Sequence, residues 1–100
     1  MPESSKVPDA ASLNLFQVFV LARIAQSETK GAELRKGLSE AGCPKSEAAF
    51  ANAMKRLENK GLLTGRFETA SIDGMPVREK YFQITGSGQA ILQSAQRLIQ

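Results

Sequence analysis

One hundred residues suffice for one compact domain that buries roughly two-thirds of its unfolded surface, and they leave no room for a second. The chain has no histidine and one cysteine, Cys43, which excludes a histidine general base, an internal disulfide framework and a multi-cysteine metal site; no cofactor is expected. Thirteen Lys and Arg against ten Asp and Glu give a net charge of +3, which favours polyanions only where the excess is gathered on one surface.

Residues 1–11, opening with MPESSKVPD, carry no periodic apolar face and read as a flexible leader, so a single domain is expected over 12–100. From Ser12 the pattern changes. Leu13, Phe16, Val20 and Ile24 share one side of a helix over about 12–26, capped by Asp9 or Ser12, while Leu15, Val18 and Phe19 widen its apolar surface. That face exceeds what a single core requires, so a second cover is expected for it. Val18, Phe19 and Val20 would also suit a strand. The helix ends in the polar run Gln26, Ser27, Glu28, Thr29.

Leu34, Leu38 and Ala41 repeat at helical spacing, which predicts a second helix over about 31–41 stopped by Gly42. Pro44 biases Cys43 away from helical angles, and Ser46 then offers an N-cap to a third helix with Glu47 in its first turn. Phe50, Ala53, Met54 and Leu57 form the inner face of that helix, and Gly61 closes it after Lys60.

Past Gly61 the period becomes that of a strand. Leu62 to Thr69 read as extended, Ser71 to Pro76 as a turn, and Val77 to Ile84 as the returning strand, with Phe82 and Ile84 on one face. Thr85 is placed to cap a last helix from about Ser87, along which Ile91, Leu92, Ala95, Leu98 and Ile99 make an apolar stripe.

Helix, helix, turn, helix, hairpin, helix is the order of a winged helix-turn-helix. The expected class is α+β, mostly α, with a three-helix core, a two-stranded wing and a C-terminal helix. Two segments sharpen this, Met54-Lys55-Arg56-Leu57-Glu58-Asn59-Lys60-Gly61-Leu62-Leu63 and Arg78 to Leu92, REKYFQITGSGQAIL. Together they resemble the PadR-like winged-helix transcription regulators, and the likeness covers roughly residues 46–92. It implies a small bacterial regulator that binds double-stranded DNA through the third helix and the wing. Onto this chain it carries Ser46, Asn52, Lys55, Arg56, Arg78 and Lys80 as DNA-binding positions. The chain departs from the family pattern at Ala51, where a tyrosine is usual, and in the shortness of its C-terminal helical region.

The residues themselves support that reading. Opposite the apolar face of the third helix stand Ala48, Asn52, Lys55 and Asn59, flanked by Arg56. Asn can bond bidentately to adenine, Lys or Arg can donate to guanine, and a small residue lets the backbone approach. An ordinary solvated helix face could carry the same letters. Lys45 and Ser46 at the start of this helix, and Arg66, Arg78 and Lys80 on the wing, are placed to meet phosphates, although Arg78 and Lys80 share a face with Phe82 and could snorkel over the core edge.

A homodimer is expected through Leu13, Phe16 and Val20 of the first helix and Ile91, Leu92, Ala95, Leu98 and Ile99 of the last. Between the first helix and a dimer partner, Phe16, Phe19 and Val20 could line a small-molecule effector pocket, though such residues more often fill a core. No catalytic residue is expected, because Cys43 has no neighbouring base and Gly86-Ser87-Gly88 is too short for a phosphate loop. Cys43 reads as an inert thiol in a reducing cytoplasm, with redox sensing as the alternative. No apolar run approaches the roughly 20 residues needed to span a bilayer, so a cytoplasmic location without membrane contact is expected. The rival reading is a winged helix that docks a protein partner through its apolar helices.

Overall fold

The computed structural model describes residues 13–98. The expected leader over 1–11, the expected caps Asp9 and Ser12, and Ile99 lie outside the described residues.

Helix α1 spans Leu15–Gln26, and its cap is Asn14. The Asn14 side chain accepts from the Gln17 amide at 2.8 Å while the Gln17 side chain accepts from the Asn14 amide at 3.1 Å. This reciprocal box satisfies two of the amides a helix start leaves without partners. Ser12 has Leu15 three residues on, which can return no such bond, so the helix starts later than expected.

Helix α2, Gly31–Glu40, buries Leu34 and Leu38, and helix α3, Glu47–Asn59, buries Phe50, Met54 and Leu57. Both end in the same way. The amide of Cys43 reaches back to the Leu38 carbonyl at 2.8 Å and that of Leu62 to the Leu57 carbonyl at 3.1 Å, over Gly42 and Gly61 at φ 87° and 77°. Ser46 caps α3 as expected, accepting from the Ala49 amide at 3.1 Å. The Arg35 Nε donates to the Lys45 carbonyl at 3.0 Å and so ties the turn between the two helices to α2.

A two-residue strand, β1, Thr29–Lys30, follows α1 where a loop was expected, and it pairs Thr29 with Phe82 and Lys30 with Tyr81. The wing consists of β2, Leu63–Ile72, and β3, Met75–Ile84, giving an antiparallel sheet in the order β1-β3-β2. Its strands are longer than the turn-rich 71–76 stretch predicts. Asp73 and Gly74, both at positive φ (52° and 79°), make the whole connection, as a type I′ hairpin turn requires.

Helix α4, Gly86–Leu98, is locked on by Thr85, whose hydroxyl accepts from the Gly88 amide at 3.0 Å and donates to the Gly61 carbonyl at 2.7 Å. One side chain thereby joins the start of α4 to the end of α3.

The core lies where α1 meets α2, the root of the sheet and α4, with Val20, Leu21, Leu34 and Leu57 fully buried. Phe16, Val18, Phe19 and Ala22 pack against it from the flanks. The wide apolar surface of α1, for which a second cover was expected, is therefore largely covered by its own chain, and Leu15 is the residue left in solvent at 83% exposure. Val20, Ile91, Leu92 and Ala95 were expected at a dimer seam, but each is at most 7% exposed in the single chain and serves its core. Leu13 and Phe16 are half-buried, and Leu98 is 65% exposed. Phe16 packs edge-on to Phe50 at 6.4 Å between ring centres, and of the three residues considered for an effector pocket Val20 is fully buried while Phe16 and Phe19 pack against the core half-buried.

Candidate nucleic-acid interface

Register decides what the wing presents. Facing residues of β2 and β3 share a side of the sheet, so Gly65, Phe67 and Thr69 stand with Phe82, Lys80 and Arg78, while Arg66 and Glu68 stand with Tyr81 and Glu79 on the other side. Buried Phe82 marks the first side as the one that faces the helices.

Between that side of the wing and α3 runs a cleft of about 650 Å³. Asn52 and Lys55 line it from the helix, Arg78 and Lys80 from the wing, and Arg35 and Lys30 from α2 and β1, over a floor of Phe50, Met54 and Phe82. Lys30 and Glu79 also touch it but pair with each other on the other side of the sheet, so across this concave surface four cations, Arg35, Lys55, Arg78 and Lys80, meet one carboxylate of the lining, Glu47. Ala51 also lines it, where the family pattern would have brought a tyrosine ring.

The wing cations rest on aromatic rings. The Arg78 guanidinium lies 3.7 Å from the centre of the Phe67 ring. The Lys80 ammonium sits 5.2 Å from that ring, 5.3 Å from the Phe82 ring and 3.6 Å from a Glu58 oxygen of α3. The snorkelling weighed from sequence holds for Lys80, which bridges wing and helix over the core edge, whereas Arg78 is exposed.

Other expected residues are not brought into the cleft. Ala48 and Arg56 are exposed on α3 outside its lining. The Lys45 ammonium lies 4.9 Å above the Phe16 ring, directed at α1, and the Ser46 hydroxyl is engaged as a cap.

Arg66 is placed on the opposite side of the sheet, and its expected position beside Arg78 and Lys80 is corrected accordingly. Its Nε and Nη2 donate to the two oxygens of Glu28, and its Nη1 to Glu68, each at 2.7 Å. The Arg66 hydrogen bonds hold the Glu28 carboxyl below its ordinary value, and the same bonds raise the Arg66 guanidinium further. Beside it the Lys30 ammonium is raised by the charge of Glu79, 3.5 Å away.

Sequence reasoning missed Arg35 and Phe67. Phe67 could have been placed over Arg78 and Lys80 once Asp73-Gly74 was taken as a two-residue turn, because that turn fixes the register.

Residues 20–94 match the sequence profile described as the transcriptional regulator PadR-like family. The chain belongs to that family. A PadR family regulator from Clostridium difficile R20291 is similar at 21% identity and a TM-score of 0.71, over 84% of this chain and 85% of that one. A PadR-like regulator from Bacillus cereus is 25% identical at a TM-score of 0.69, over 83% and 79%. The Bacillus subtilis PadR, solved in complex with operator DNA, is 21% identical at 0.65, over 81% of this chain and 47% of its own. No curated protein matches the chain. These PadR-like structures share its helices and winged sheet, so the expected family and fold class hold. Among the described residues no helix is long and apolar enough to cross a membrane.

Proposed function

We propose that this PadR-like chain binds double-stranded DNA sequence-specifically as a homodimeric repressor, with α3 in the major groove and the wing along the backbone. The observation that carries the reading is the single cleft in which Asn52 and Lys55 of α3 face Arg78 and Lys80 of the wing, with cations in excess. Asn52 and Lys55 are the residue types that read base edges, and Arg78 and Lys80 suit phosphates, which position the domain without specifying sequence. The operator complex of the Bacillus subtilis relative supports the same use.

The dimer is proposed through the exposed Leu15 and Leu98, at the ends of two helices that pack on each other. Half-buried Leu13 and Phe16 flank Leu15 in the chain, and Val20, Ile91, Leu92 and Ala95 are the buried residues of the same two helices.

Anisotropy of labelled genomic duplexes across a salt series tests the reading, with wild type set against an Asn52→Ala, Lys55→Ala, Arg56→Ala triple variant. Steep salt dependence and loss of binding in the variant are expected. Wild type that is folded and binds no duplex at low salt would instead make the chain a protein-docking winged helix.

A further inference from the structure

We propose that Arg66 is a positioning residue for DNA binding: held by Glu28 and Glu68 on the outer side of the sheet, it sets the angle at which the wing presents Arg78 and Lys80. The role rests on the DNA-binding reading above.

Two features set Arg66 apart from the wing cations of the cleft. Its guanidinium has three of its five donors placed on two carboxylates and a face 4.9 Å from the Tyr81 ring centre, so its charge is already matched within the protein. Around it Glu28, Glu68 and Glu79 outnumber Arg66 and Lys30, which makes this side of the wing root locally acidic and unsuited to a polyanion.

The second feature is reach. Glu28 belongs to the connection between α1 and β1, 38 residues from Arg66, so the bidentate pair fastens the wing to the helical body. Parallel fork bonds of this kind constrain direction as well as distance. Arg66 faces Tyr81 in the register, directly beside Lys80 in β3. On the inner side the wing root is held by Phe82 and Leu63 in the core and by the longer Lys80–Glu58 pair at 3.6 Å. A duplex phosphate would draw Lys80 away from Glu58, which leaves the outer clamp to hold the wing while the inner one is exchanged.

The sign of one substitution separates positioning from plain electrostatics. Glu28→Gln removes a negative charge, which by charge alone tightens binding to a polyanion; loss of the clamp weakens it. Duplex binding is measured over a salt series for wild type, Glu28→Gln, Arg66→Lys, the Glu28→Gln, Arg66→Lys double variant and Lys80→Ala, each checked for folding by circular dichroism. Arg66→Lys keeps the charge and loses the fork.

Glu28→Gln and Arg66→Lys are expected to weaken binding about threefold or more at an unchanged salt slope, and the double variant to be no weaker than either. Lys80→Ala is expected to lower the slope by about one. Equal or tighter binding by Glu28→Gln, in a wild type that binds, overturns the positioning role and leaves the DNA reading standing. A wild type that binds no duplex at low salt overturns both.

Discussion

Gly88 lies directly beneath the Leu62 carbonyl, so close that a β-carbon at this position would penetrate the oxygen. The contact is backbone against side-chain space, and neither partner can swing aside, since the Leu62 carbonyl also accepts from the Thr85 amide at 3.1 Å. Gly88→Ala is therefore expected to destabilise the fold by about 1–3 kcal/mol, the usual cost of overpacking, as a lower urea midpoint at unchanged slope. A midpoint equal to wild type would mean that α4 can shift along its axis.

The Asn14 and Gln17 box predicts a smaller loss. Asn14→Ala leaves the Gln17 amide without its acceptor and is expected to cost about 1 kcal/mol in the same measurement. Ser12→Ala is expected to change nothing, because the cap lies two residues further on.

Within the cleft, Lys55→Ala and Arg78→Ala are expected to act differently on binding. Removing Arg78 lowers affinity uniformly across sequences and reduces the salt slope by about one, as for a phosphate contact. Removing Lys55 narrows the gap between preferred and mismatched duplexes by about 1–3 kcal/mol, as for a base contact. A competition assay on matched and scrambled duplexes separates the two, and identical behaviour would dissolve the division of labour between helix and wing.

The Glu28 clamp has a pH signature. Its folded-state carboxyl lies below the ordinary 4.5, so its contribution to stability is fully present above that value and is lost as pH falls through the lower, folded-state one. The difference in unfolding midpoint between wild type and Glu28→Gln is therefore expected to be constant from neutral pH to about 5 and to shrink in more acidic solution. A difference that grows with acid would contradict the assignment.

Much of this was legible in the sequence because strong local signals agreed. Ser46 and Gly61 bracket α3, Thr85 marks the start of α4, and the period changes cleanly at Leu62. What escaped was set by tertiary partners. Thr29 and Lys30 are too few to alternate, and only Phe82 and Tyr81 make them a strand. Pro76 argued for a turn, yet β3 runs through it, because β1 reaches only Phe82 and Tyr81 and leaves that edge open. The stripe of Ile91, Leu92 and Ala95 was readable as a stripe, but sequence does not say whether a partner or the same chain covers it. Arg66 was readable as a cation, but only the fold brings Glu28 to it.

The two-residue length of β1 has a consequence for the outer wing. Beyond Lys80 the hairpin is a ribbon of two strands with solvent on both faces, extending a body whose longest dimension is 53 Å. Isolated two-stranded ribbons are marginal, and local opening follows the sparseness of buried contact. Amide protons from Ala70 to Val77 should then exchange with solvent well ahead of those at Phe82 and Leu57. The molecule carries its reading helix on a stiff frame and its tip on a compliant arm, and ordering that arm against a duplex is an entropic toll levied on every partner alike.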